Sequence, residues 1–90
     1  MSREQLREAS DLLRRAAEST DDEALVERMH TQSTQLAELA DGDQGPDHGR
    51  LARHMNALVE IRKAADGDAA DLVKQARDAV AEYRSGVEGV

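Results

Sequence analysis

The chain has 90 residues, of which 19 are acidic, 12 are basic and none is cysteine, giving a formal net charge of −7. This length predicts one domain, residues 1–90, with a small core, and the lack of cysteine excludes disulfides and thiolate metal sites. No apolar run approaches the roughly 18 residues of a membrane span, and no apolar signal region opens the chain, so we expect a cytoplasmic protein with no membrane contact.

The first predicted helix covers about residues 3–18. Ser2 to Gln5 forms a capping box, in which Ser2 caps the helix and Gln5 takes the third position. Leucines and alanines then recur at the three- and four-residue spacing of an amphipathic helix. Arginines and acids fill the remaining positions, which indicates one buried and one solvated face.

The second predicted helix covers about residues 21–40. A second capping box, Thr20 to Glu23, favours a break after the first helix, because Ser19 and Thr20 can compete with helical backbone bonds. The alternative is one long helix over both segments, which would leave three helices in all. The polar stretch 30–35 has low helix propensity, so tertiary packing must hold it.

A loop around residues 41–45 separates the second helix from the third. Gly42 is expected to close the second helix in a left-handed conformation. The third helix is predicted over about 47–65, with Pro46 in its first turn or Asp47 as its cap.

The apolar stripe of the third helix is expected to contain Leu51, Met55, Leu58 and Val59, with the stem of Arg62 extending it. Ile61 falls outside this stripe. We therefore expect Ile61 to contact a second neighbour or a partner surface.

The fourth predicted helix covers about residues 69–84. Gly67 suits the left-handed position that ends the third helix, and Asp68 is expected to cap the fourth. Short connections between four amphipathic helices predict an all-α, up-down antiparallel four-helix bundle. Its alanine-rich core is thin, so a homodimer through Ile61 and the valines of the tail, 87–90, is one way to stabilise it.

The candidate binding site lies around the loop that enters the third helix. A metal site is not expected, because the two histidines in this region are six residues apart and six residues place them on different helical faces. A partly buried side chain with a hydrogen-bond partner is a simpler interpretation of His54 than a metal ligand. The residues selected are Asp47, His48, Arg50, Arg53 and His54.

An enzyme is not expected. The serines lack the context of a nucleophile elbow, and the glycines lack the spacing of a phosphate-binding loop. Paired carboxylates are frequent, but a chain so rich in acids places many of them on its solvated surface. The sequence predicts no cofactor and no catalytic residue.

Nucleic-acid binding through the third helix is the alternative function. Residues 50–65 carry a net charge of +3, whereas residues 20–40 carry −4. The overall negative charge opposes a phosphate backbone, and the chain has no set of stacking aromatic residues. We favour the interpretation in which the basic third helix lies beside the acidic second helix.

The acid excess comes with ten arginines, two lysines and fifteen alanines. At molar salt, screening limits charge repulsion to a few ångströms, so an acidic surface costs little and maintains solubility. This composition favours a high-salt protein. An acidic protein from a GC-rich genome, which also favours arginine and alanine, is the alternative.

Three stretches carry a family resemblance: GPDHGRLARHMNAL at 45–58, the two Asp-Gly-Asp turns, and AEYRSGVEGV at 81–90. They resemble a family of small acidic haloarchaeal proteins of unknown function, over nearly the whole chain. The resemblance implies a helical fold and life at high salt, and it supplies no activity. The sequence therefore predicts a non-enzymatic module that binds or scaffolds a protein, either another chain or a second copy.

Overall fold

The computed structural model describes residues 3–42 and 48–86, and for His48 it describes only the backbone. These residues form four helices: α1 (Glu4–Glu18), α2 (Glu23–Asp41), α3 (His48–Ala64) and α4 (Gly67–Ser85). The described part of the chain contains no strand. The predicted all-α four-helix bundle is confirmed, with overall dimensions of 39 × 20 × 16 Å.

The break between α1 and α2 is created by a capping aspartate. The side chain of Asp22 accepts hydrogen bonds from the backbone N–H groups of Ala24 and Leu25, at 3.0 and 3.2 Å. Thr20, expected as the cap, instead accepts a bond from the Asp22 N–H through its hydroxyl. The two segments are therefore separate helices, and the merged alternative is wrong.

The helices form a ring in which α1 packs closely on both α2 and α4, and α3 packs on α4. α1 contributes seven buried residues, more than α2 or α4. Where α1 meets α2, Ser10 and Ser33 are both buried. The core is mainly leucine and alanine, with Met29, Ile61, Val73 and Val80 as its other large members.

The inward face of α3 differs from the predicted stripe. Ile61 is 1% exposed and belongs to the core. Val59, predicted to be part of the stripe, is only partly buried, and Arg62 is exposed. The expectation that Ile61 lies at a partner surface is thus wrong, because the buried residues follow three- and four-residue steps that include a histidine. They are Leu51, His54, Leu58, Ile61 and Ala65.

The end of α2 is closed by the side chain of Arg3, the residue that precedes α1. The guanidinium of Arg3 donates to the carbonyl oxygen of Leu39 at 3.1 Å and also to that of Gly42. Gly42 has φ −72°, so the predicted left-handed closure is wrong. Arg3 already satisfies carbonyls that a left-handed glycine would otherwise help to pair.

The turn between α3 and α4 contains the one left-handed glycine of the described residues, Gly67, with φ +57°. This agrees with the predicted conformation. α4 begins at Gly67 and its capping position is Asp66, so the expectation that Asp68 caps the helix is wrong. The predicted roles of Ser2, Pro46, Asp47 and the tail 87–90 lie outside the described residues.

Candidate functional site

The seam between α2 and α3 is the least closely packed of the four neighbouring helix pairs. It holds an open groove of about 330 Å³. We call this the α2–α3 groove. The residues that line it are Gln32, Gln35, Glu38, Arg50, Arg53 and His54.

Helical spacing explains why these side chains meet. Gln32, Gln35 and Glu38 follow each other at three-residue steps, which places them along one side of α2. Arg50 and Arg53 have the same spacing on α3. Because α2 and α3 are consecutive and antiparallel, the two rows face one another across the seam.

His54 forms the inner wall of the groove. Its ring is almost wholly buried, with 7% of the residue exposed. Nδ1 lies 2.7 Å from Oε1 of Gln32, so the ring N–H donates to the amide oxygen and links α3 to α2. A neutral ring with its proton on Nδ1 leaves Nε2 as an acceptor.

The surroundings of His54 disfavour its charged form. Burial lowers the pKa of His54 below its ordinary value, and the positive charge of Arg50 lowers it further. A cation in this position would lose solvation and face a second cation on the same helix. The ring therefore acts as a neutral structural group at the pH of most cells.

The net charge of the groove is opposite in sign to the net charge of the whole molecule. Arg50 and Arg53 bring two guanidinium groups to it, and Glu38 brings one carboxylate. The chain as a whole carries −7. The groove is therefore a net cationic site on an acidic protein.

The structure brings together three of the five residues that the sequence selected, Arg50, Arg53 and His54. The side chains of Asp47 and His48 lie outside the described part of the molecule. Sequence analysis missed Gln32, Gln35 and Glu38. The polar stretch 30–35 was the available signal, since a helix so polar and so poor in propensity must be held by neighbours.

The side chains that line the groove are mainly hydrogen-bonding groups. None of its six lining residues carries a hydroxyl or a thiol nucleophile. Within the described residues, no three His, Asp or Glu side chains are grouped to hold a metal ion. Guanidinium and amide N–H groups can instead donate hydrogen bonds to acceptors on a ligand.

No helix in the described ranges is both long enough and apolar enough to cross a bilayer.

Comparison with known protein families identifies a match over nearly the whole chain. The model of a family described as a "Family of unknown function (DUF7553)" matches residues 1–86, which include all four helices. No curated protein and no solved structure matches the chain. The family match agrees with the expected resemblance to a family of unknown function.

Proposed function

We propose that this chain, which belongs to the DUF7553 family, is a non-enzymatic module that binds another protein through its α2–α3 groove. The observation that carries the proposal is the open seam. α2 and α3 pack less closely than any other neighbouring pair among the described helices, and they leave a space lined by amide, guanidinium, imidazole and carboxylate groups.

The size and walls of the groove favour a short protein segment as its occupant. Its volume of about 330 Å³ lies at the small end of the range of ligand sites. A segment that inserts one or two side chains fits such a space, whereas a large cofactor does not. The lining is polar, so hydrogen bonds and ion pairs would provide specificity.

A different protein is a better partner than a second copy. The case for a homodimer used Ile61 as an exposed apolar residue, and Ile61 is buried. The cationic groove also offers a site for acidic partners in general, without need for self-association.

Nucleic-acid binding has one supporting observation, the presence of Arg50 and Arg53 in one groove. Two observations weigh against it. Glu38 lies in the same groove, and the net charge of −7 repels a phosphate backbone. We therefore place this function second.

The proposal includes a cytoplasmic location at high salt. Its support is the excess of acids over bases, together with the preference for arginine over lysine. Strong screening removes most of the cost of such a surface.

Site-specific photo-crosslinking tests the function. A photoreactive residue at Gln35 lies in the groove, and one at Gln75 lies between α1 and α4 as the matched control. In source-cell extract prepared in molar KCl, we expect a discrete protein adduct from position 35 that Arg53→Gln weakens. Equal adducts from both positions, or none from position 35, would reject the groove as the binding surface.

A further inference from the structure

We propose that the α2–α3 groove recognises side-chain carboxylates on an acidic, extended segment of the partner. This inference rests on the proposed function and specifies the chemistry of its partner. The main contact is Arg53, with Arg50 beside it on α3, and the amides of Gln32 and Gln35 act from α2.

Charge complementarity is the first argument. In most of this protein, acids outnumber bases, so an acidic segment is repelled from most of its surface. At the groove the balance is reversed, with two arginines against one glutamate. The groove is thus a place where an acidic partner gains attraction on a protein whose overall charge is negative.

The type of cation is the second argument. A guanidinium presents a planar fork of N–H donors that matches a carboxylate through two parallel hydrogen bonds. Arg50 and Arg53 are three residues apart, so their attachment points are separated by about 4.5 Å along the helix axis. Two carboxylates on one side of an extended segment are about 7 Å apart, a distance that long arginine side chains readily match.

The opposite wall suits a peptide backbone. The Oε1 atom of Gln32 is engaged by His54, which fixes the amide and leaves its NH2 group as a donor. Gln35 adds a second amide three residues further along α2. These amides can donate to carbonyl oxygens of an extended segment, whose carbonyls lack internal helical partners.

Salt strengthens the case for arginine contacts inside a groove. At molar salt the screening length is about 3 Å, so a distant charge on the surface contributes almost nothing. Bidentate contacts at hydrogen-bond distance act within this length and remain effective. A high-salt protein that must bind an acidic segment therefore needs this type of site.

Isothermal titration with synthetic peptides tests the inference. The probes are an octapeptide of alternating Asp and Gly, its Asn and Gly counterpart, and a single-stranded oligonucleotide of eight thymidines. Each is titrated into the full chain at physiological and at molar KCl. The variants are Arg53→Gln and, as a matched control on the same helix, Arg62→Gln, which is exposed and is not among the residues lining the groove.

We expect the acidic peptide to bind at both salt concentrations, and the Asn peptide to bind at least about tenfold more weakly, the loss expected when charged hydrogen bonds are removed. Arg53→Gln should weaken binding of the acidic peptide by a similar factor, and Arg62→Gln by less than about twofold. Helicity measured by circular dichroism should be equal in all three proteins, since both arginines are exposed.

Three outcomes would overturn the inference: equal binding of the acidic and Asn peptides, equal effects of the two arginine variants, or tighter binding of the oligonucleotide than of the acidic peptide. The crosslinking experiment separates this failure from failure of the proposed function. If the adduct at position 35 persists while the peptides show no dependence on charge, the groove still binds a protein, and the chemistry of that contact is different.

Discussion

Ser10 and Ser33 exchange hydrogen bonds across the contact between α1 and α2. The hydroxyl of Ser10 lies 2.8 Å from the carbonyl oxygen of Ser33, and the hydroxyl of Ser33 lies 2.9 Å from the carbonyl oxygen of Ser10. The two hydroxyl oxygens are 2.9 Å apart. Such bonds to the partner backbone require the helices to approach closely, which small side chains allow.

The serine pair predicts a coupled loss of stability. Ser10→Ala and Ser33→Ala should each lower the free energy of unfolding by about 1 kcal/mol, since each removes a buried hydrogen bond. The double variant should lose less than the sum, because the hydroxyls contact each other. Urea unfolding at fixed KCl measures all three. The control is Thr31→Ala, which removes an exposed hydroxyl bonded within its own helix.

If the effects of Ser10→Ala and Ser33→Ala add without coupling, the hydroxyls act independently and the mutual arrangement is not present in solution. A loss from Thr31→Ala as large as that from the buried serines would also contradict the prediction.

The buried face of α3 in the structure predicts that alanine substitutions at two nearby residues change the free energy of unfolding by different amounts. Ile61→Ala should lower the free energy of unfolding by about 2–4 kcal/mol, because it leaves a cavity in the core. Val59→Ala should cost less than about 1 kcal/mol, because Val59 is partly exposed. Denaturant unfolding distinguishes them. A larger cost at Val59 would restore the stripe expected from the sequence, and a change of oligomeric state in Ile61→Ala would restore a surface role.

Burial of His54 predicts a dependence of stability on pH. The pKa of His54 is lowered in the folded protein, so the unfolded chain takes up its proton first as the pH falls. The neutral ring contributes fully above about pH 6.5. This contribution decreases as the pH drops towards the lower pKa of the folded state, and then levels off.

The midpoint of thermal unfolding, followed from about pH 8 to about pH 5, measures this effect. His54→Gln should flatten the dependence in the part of this range below about pH 6.5. His30→Gln, which changes an exposed histidine of α2, should leave it intact. The same slope in His54→Gln and in the unmodified chain would show that other groups cause the dependence.

Gly67 in the α3–α4 turn can be tested against Gly86, which follows α4. A Cβ at Gly67 would meet no heavy atom within 4 Å, yet φ is +57°, so Gly67→Ala should cost about 1 kcal/mol through backbone strain alone. Gly86 has φ −91° and room for a Cβ, so Gly86→Ala should be neutral or slightly stabilising. Equal effects in chemical denaturation would contradict the left-handed geometry at Gly67.

The high-salt proposal predicts that stability rises with KCl. The unfolding midpoint should increase between dilute and molar KCl, as screening weakens repulsion among the acids. A double variant, Glu8→Gln with Glu27→Gln, removes two exposed charges and should show a smaller rise. A midpoint that does not increase with KCl in the unmodified chain would reject the adaptation.

Sequence patterns predicted the four helices because capping residues and apolar spacing act locally. The buried face of α3 was not predictable in this way, because a pattern based on apolar residues does not include His54. The hydrogen bond from its ring to Gln32 satisfies a polar group that is otherwise costly to bury. The closure of α2 depends on Arg3, which is 36 residues from Leu39 in sequence. Long-range polar contacts of this type leave no periodic signal.

For the same reason, only half of the residues that line the candidate site could be predicted from the sequence. Arg50, Arg53 and His54 lie within one turn of α3, so their proximity follows from helical geometry. Their neighbours across the seam depend on the alignment of α2 with α3. The sequence does not specify this alignment. The structure shows it through contacts such as the 2.7 Å hydrogen bond between Nδ1 of His54 and Oε1 of Gln32.

The packing of α1 between α2 and α4 has a consequence for folding during protein synthesis. Ribosomes produce α1 first, while α4, which covers one of its sides, is produced last. Buried residues of α1 such as Leu6 and Leu13 therefore cannot complete their packing until α4 has also been made, since domains complete their cores only when all packing elements are available. The three leucines of α1, Leu6, Leu12 and Leu13, are consequently the part of the nascent chain most exposed to chaperones and to aggregation.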